Sequence, residues 1–350
     1  MNNPFTLVFG KSPLLTVERP TQTDEILDAL KSENIYQQAF IITGIRGSGK
    51  TVMMTEIAEK IKDEKEWIVV ELNPEKDLEQ GLAAKLYNNT KGGEIIRNAK
   101  INLSFFGIGV EISGSQQITD IEVALERILS SIKKQGKRVL ITIDEVTNNE
   151  YMRIFAHEFQ MLIRQNAPVF LLMTGLFENI SDLQNEKTLT FLYRAPKIQL
   201  SSLNAGAITE KYYKVFEAMG LDKEDCSKMA GMTKGYPFAF QTLGYLTWEK
   251  NGDYNSTIDE YRLRLEEYVY EKIWSELSPN DRKVACGIAK AEDGKVKTIL
   301  ECLNMDSNHF NPYRKRLITK GIIVSDGWGN LKFFLPMFAE YVLSKEINDI

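Results

Sequence analysis

Apolar residues recur along the first two hundred positions in two alternating rhythms. Short runs that are apolar at nearly every position, "AFIITG" (39–44), "WIVVEL" (67–72), "RVLITID" (138–144), "VFLLMT" (169–174) and "KIQL" (197–200), predict five strands. Between them lie stretches with helical spacing: "KTVMMTEIAEKIKDE" (50–64), a segment around 76–89, and others over 118–134 and 150–165. Strands that are apolar throughout are buried on both faces. Their alternation with helices predicts an α/β fold built on a parallel sheet. Ahead of them, residues 1–36 read as an extended start with Pro4 and Pro13, then a helix containing "TDEILDALKS". One segment breaks the rhythm. "AKINLSFFGIGVEISGS" (99–115) alternates apolar and polar residues around glycines and predicts an inserted hairpin.

From about residue 205 the strands stop. Helical patterns over 206–219, 222–232, 236–250 and 256–277 predict a small helical domain. The remainder changes again: Ser278 and Pro279 read as the cap and first position of a helix, and helices at 296–303 and 307–320 follow. Pro312 is expected in the first turn of the last of these, with Leu317, Ile318, Ile322 and Ile323 in the core. "GIIVSDGWGNLKFF" reads as two strands joined by a Gly-rich turn that exposes Trp328. Three helices and a hairpin spell a winged helix-turn-helix. The expected division is a linker at 1–36, a core at 37–204, a helical domain at 205–277 and a winged helix at 278–350.

The first strand-to-helix junction carries the chemistry. Gly44-Ile45-Arg46-Gly47-Ser48-Gly49-Lys50-Thr51 matches GxxxxGK[ST] in full, after an apolar strand and at the opening of a helix. Glycines let successive N–H groups turn inward around phosphate oxygens, and the helix N-terminus adds its positive end. Lys50 is then expected at the β- and γ-phosphates of a nucleotide, and Thr51 at Mg²⁺. The strand at 138–144 ends in Asp144-Glu145, which predicts Asp144 beside the metal and Glu145 as general base for an attacking water. Thr174 ends the next strand, where a hydroxyl suits the γ-phosphate or the lytic water; a residue simply closing a strand is the competing reading. Arg194, before the fifth strand, reads either as a finger on transition-state charge, in cis or from a neighbouring subunit, or as a solvated loop residue.

Composition narrows the rest. With 43% apolar and 26% charged residues and a net charge of −5, the chain is an ordinary globular protein without an all-round basic coat. Three scattered cysteines, none in a CxxC pair, suit a reducing compartment. Of the two histidines, His157 lies in "HEFQM", which lacks the second histidine of a zinc-protease helix, and no GxSxG appears. The N-terminus has no signal-peptide pattern and no apolar run reaches spanning length, so a cytoplasmic protein without a membrane partner is expected.

Taken together, "GIRGSGKT", "LITIDE", the Thr174 strand end and "GYPFAFQTLG" (235–244) make the chain resemble P-loop ATPases of the AAA+/STAND group, near the archaeal-type and origin-recognition ATPases. The resemblance implies ATP and Mg²⁺ as ligands, ATP hydrolysis, and a switch between nucleotide states, with the helical domain as a lid. It also implies that Gly235-Tyr236-Pro237 corresponds to the GxP motif, with Pro237 near adenine, and that Arg19 and Pro20 flank the base. No second sensor arginine follows the GxP motif closely, since Lys234 precedes it, which favours a switch over ring mechanics. Self-association stays open. For the winged helix three readings stand: contact with double-stranded DNA through Arg314, Lys315, Arg316 and Lys320, contact with a protein partner or autoinhibition, or a purely structural cap. Eleven Lys/Arg against nine Asp/Glu over 278–350 give only +2, a weak electrostatic footprint.

Overall fold

All five apolar runs form strands: β1 (Ala39–Thr43), β2 (Trp67–Leu72), β3 (Arg138–Ile143), β4 (Val169–Gly175) and β5 (Lys197–Gln199). The computed structural model describes residues 2–8, 13–88, 101–102, 116–117, 120–186, 190–327 and 329–348. The chain divides into two compact units. One comprises Arg19–Thr43 and Lys50–Gln199; the other comprises Met1–Glu18, Gly44–Gly49 and Leu200–Ile350.

The sheet belongs to the first unit. Its strands are all parallel in the order β2-β3-β4-β1-β5. Alternate strand residues face opposite ways. Ala39, Ile41, Val70, Ile141, Leu171 and Met173 cluster with apolar residues of α3 (Leu78–Asn88), α4 (Ile121–Lys134) and α5 (Glu150–Arg164). The intervening Phe40, Ile42, Leu140, Phe170 and Leu172 are equally buried, on the face that packs α2 (Lys50–Lys62). Two-sided burial is why these strands carry no polar alternation. Asp120 and Asn149 cap α4 and α5 by accepting backbone N–H bonds in their first turns.

Two carboxyls sit inside this packing. Glu79 of α3 and Glu158 of α5 are 7% and 4% exposed. Burial, reinforced for Glu79 by Asp77, Glu122 and Asp120, pushes that carboxyl up to about 7. Burial does the same for Glu158, with Glu122, Glu79, Glu126 and Asp120 adding to it. A carboxyl raised above its unfolded value stabilises the fold at low pH and loses that contribution as pH climbs through the folded value. Stability should therefore fall between pH 5 and pH 8, by on the order of 2 kcal/mol. Urea melts across that range should show the slope, and Glu158→Gln should flatten it.

In the second unit α7 (Ala205–Phe216), α8 (Lys223–Thr233), α9 (Pro237–Glu249), α10 (Ile258–Leu265) and α11 (Glu271–Ser275) follow α6 (Phe177–Asn185) of the first. The pattern at 256–277 predicts one helix, but a π-helical turn at Glu266–Tyr270 separates α10 from α11. The extended N-terminal segment is anchored here: Phe5 lies among the rings of Tyr212, Phe216 and Phe240, and its neighbour Thr6 donates its N–H to Gln241.

The last stretch holds α12 (Pro279–Lys290), α13 (Val296–Leu303) and α14 (Ser307–Thr319), an antiparallel pair β6 (Ile323–Ser325) and β7 (Leu331–Phe333), and a closing α15 (Phe338–Asn348) that the sequence pattern did not suggest. Ser278 caps α12 and Pro279 occupies its first turn. Pro312, expected in a first turn, falls inside α14. Asp306 caps that helix a turn earlier by accepting from the His309 N–H at 3.0 Å, so the helix absorbs one lost backbone bond at the proline. Arg316 is engaged structurally: its Nε donates to Asp281, 1% exposed, at 2.8 Å, and its guanidinium lies over the Tyr313 ring.

Most of the hairpin expected at 99–115 lies outside the described residues, as does Trp328. What is described there is a two-residue parallel pairing of Ile101–Asn102 with Gln116–Gln117, not the antiparallel ladder of a hairpin. Among the described residues no helix is long and apolar enough to cross a membrane.

Candidate functional site

Parallel register brings three strand ends side by side. Ile143 of β3 pairs with Met173 of β4, and Thr174 pairs with Ile42 of β1. One residue past β3, Asp144 therefore stands next to Thr174 at the carboxyl edge of the sheet, where open α/β sheets bind their ligands. The contacts are direct. Thr51, in the first turn of α2, donates its hydroxyl to Asp144 Oδ2 at 2.8 Å. Thr174 donates its hydroxyl to Asp144 Oδ1. That same hydroxyl oxygen accepts the Glu145 N–H at 3.1 Å, and Asp144 Oδ1 accepts it too at 3.1 Å. Val146 N–H closes the arrangement on the Thr174 carbonyl at 2.9 Å.

This grip explains an unusual backbone. Glu145 has φ of +51°, the left-handed region that costs a side-chain-bearing residue about 1 kcal/mol or more. Its amide bonds hold it there and leave its carboxylate exposed beside a half-buried Asp144. Lys50, the first residue of α2, is only 8% exposed. So Lys50, Thr51, Asp144, Glu145 and Thr174 all lie at one edge of the first unit. Arg194 ends the 3₁₀ turn Thr190–Arg194, is exposed, and among the described residues shows no bond to any of these five.

Arg19 is the other cation of the first unit with an unusual setting. It precedes α1 (Pro20–Lys31), which packs on α2. Lys31 and Glu64 join the C-terminal ends of the two helices at 2.5 Å, and Arg138 at the foot of β3 donates to the carbonyls of Leu30 and Ser32. Among the described residues Arg19 has a buried guanidinium nitrogen without a hydrogen-bond partner, and Thr23 a buried hydroxyl in the same condition. Burial lowers the Arg19 guanidinium to about 10. A desolvated cation that meets no carboxylate among the described residues suits a ligand carrying acceptor oxygens or nitrogens.

The loop Gly44–Gly49 joins β1 to α2 and is covered within the second unit. Gly47 and Gly49 have φ of +74° and +88°. A Cβ at Gly44 would stand 2.5 Å from Ser48 Oγ, and that hydroxyl is itself buried without a partner among the described residues. A Cβ at Gly49 would lie 3.9 Å from Pro237. The Tyr236 hydroxyl donates to the Arg46 carbonyl at 2.7 Å, and Arg46 faces Glu276 at 3.6 Å. The Tyr236 and Glu276 contacts have no counterpart in the sequence reading; "GYP" singled out Tyr236 only as part of a motif.

The sequence profile of the ATPase domain predominantly from Archaea matches residues 17–214, more than half of the chain. This chain belongs to that ATPase family. A second profile, a domain of unknown function (DUF8462), matches residues 267–342 of the ATPase. No curated protein matches the ATPase in sequence. Among solved structures it is similar to the Walker-type ATPase PABY2304 of Pyrococcus abyssi, with a TM-score of 0.68 and 14% identity over 94% of this chain and 96% of that one. It is also similar to the ORC2 protein of Aeropyrum pernix. In its ADPNP–ADP complexes that structure gives a TM-score of 0.59 and 11% identity over 97% of this chain and 98% of that one. At such identities the likeness is one of fold alone, a P-loop ATPase core.

Proposed function

We propose that this ATPase is a magnesium-dependent nucleotide switch that hydrolyses ATP slowly. The observation carrying this reading is the Thr51–Asp144–Thr174 cluster, a hydroxyl, a carboxylate and a second hydroxyl bonded in series one residue into the helix that follows the glycine-rich loop. The ORC2 protein of similar fold is seen with ADPNP and ADP, which supports a nucleotide at the corresponding loop.

Each residue then has a task. The loop amides of Gly44 to Gly49 would take the phosphates with Lys50 as point charge. The donor set fits magnesium, a hard cation that takes few protein oxygens and completes its shell from phosphate and water; Thr51 and Asp144 would hold it. When bound, magnesium neutralises charge building on the phosphate oxygens. Asp144 accepts the Thr51 and Thr174 hydroxyls and so orients both. Glu145 would take the proton of the attacking water, and Thr174, whose hydroxyl fixes the Glu145 amide, would sense the γ-phosphate. Arg194 would stabilise transition-state charge, in cis or from a neighbouring subunit. Pro237, beside Gly49 of the loop, would contact the base.

We infer that the C-terminal module is a winged helix that contacts protein and not DNA. Arg316, one of the four cations that favoured DNA, is bound to buried Asp281 and so is taken up within the module, whose net charge of +2 is a weak attraction for a duplex. Labelled ATP with magnesium should bind saturably and turn over, and chelation should stop turnover. Fluorescence anisotropy of a 30-base-pair duplex in about 150 mM salt should show no ATP-dependent binding. Failure of the first arm removes the switch; tight duplex binding restores the DNA reading.

A further inference from the structure

Tyr236 is completely buried, and its hydroxyl reaches the middle of the phosphate loop. The contact constrains the loop's own sequence. A Cβ at Gly47 would stand 2.2 Å from the Tyr236 hydroxyl oxygen, and φ of +74° would strain any side chain there besides. The tyrosine is in turn fixed. Its N–H donates to the Thr233 carbonyl at 2.9 Å, and its carbonyl accepts the Phe240 N–H at 2.9 Å. The preceding Gly235 carbonyl accepts from the Leu203 N–H at 2.8 Å. Phe238 and Phe334 meet the ring edge-on at 6.3 and 6.2 Å. Burial holds the phenol far above its ordinary range, so it remains a donor at any pH the fold survives.

A second contact reaches the same loop residue, from Glu276 to the Arg46 guanidinium. Its separation of 3.6 Å and side chains 34% and 36% exposed make it a weak, screened pair. The buried hydroxyl is the contact that holds.

We propose that Tyr236 is a positioning residue for nucleotide binding, acting through the Arg46 carbonyl to keep the glycine-rich loop in its phosphate-receiving shape. The proposal rests on the ATPase reading and extends it. A loop with three glycines has many accessible shapes, and apparent affinity falls in proportion to the fraction of loops in the competent one. A group that raises this fraction lowers KM. It leaves kcat alone, because saturating nucleotide selects the competent loop whether or not the hydroxyl is present.

The test compares the full-length parent, Tyr236→Phe and Tyr212→Phe, using methylanthraniloyl-ATP with magnesium for binding and phosphate release for turnover. Tyr212 is the control: it is as buried, and its hydroxyl donates to the Phe240 carbonyl at 2.8 Å without touching the loop. Tyr236→Phe should weaken binding about fivefold and raise KM by the same factor, with kcat within about twofold. Tyr212→Phe should bind as the parent does. Parental affinity in Tyr236→Phe overturns the proposal. So does equal weakening in both variants, which would mark a general loosening of these helices, and so does a fall in kcat at constant KM. A parent that binds no nucleotide overturns the ATPase reading and this proposal together; parental binding with an indifferent Tyr236→Phe overturns the proposal alone.

Discussion

Lys50→Ala is expected to abolish saturable ATP binding, weakening it by about a hundredfold or more. The reason is where the ammonium sits. Lys50 opens α2 and is almost wholly buried, so its charge acts in a medium that screens poorly, at a helix end that already favours anions. Removing it leaves the loop amides and the helix end, which bind phosphate weakly on their own. Folding should not suffer, since a cation at the positive end of a helix opposes the dipole and alanine favours the helix. Polarisation of labelled ATP, read beside a thermal melt, separates the two effects. Near-parental affinity in a folded Lys50→Ala would remove the phosphate loop from the nucleotide site.

Glu145→Gln is expected to do the opposite: binding within about threefold of the parent, and turnover lower by on the order of 100- to 1,000-fold. The substitution keeps size and removes the proton acceptor. The exposed side chain takes no part in the bonds that hold its own amide to Asp144 and Thr174, so the local backbone should survive the change. Single-turnover hydrolysis at saturating ATP and magnesium is the decisive measurement. Hydrolysis at the parental rate would show that Glu145 is not the base. The variant should also accumulate the ATP-bound form, which makes it the natural bait for the protein partner proposed for the C-terminal module.

Much of this is legible in the sequence, and unevenly so. The five strands were readable because a strand covered on both faces must be apolar at every position, a constraint that leaves a mark no loop imitates. The phosphate loop was readable because its geometry restricts residue type: positive φ at Gly47 and Gly49 leaves little but glycine. Asp144 and Thr174 could each be proposed from a strand end. That they touch depended on the order β3-β4-β1, which no local pattern encodes. Pro312 misled because a proline suits a first turn in isolation, whereas Asp306 supplied a competing cap six residues earlier.

By itself, then, the chain determined its strands, most of its helices and the residue types that line a phosphate, because each is dictated by neighbours within a few positions. Tertiary structure decided the rest. It chose which strand ends lie adjacent, that Arg316 answers a buried carboxylate, and that a tyrosine nearly two hundred residues away holds the Arg46 carbonyl. Those outcomes depend on burial and on hydrogen bonds across the fold. A buried polar atom gains from a partner wherever packing brings one, and sequence distance does not enter that gain.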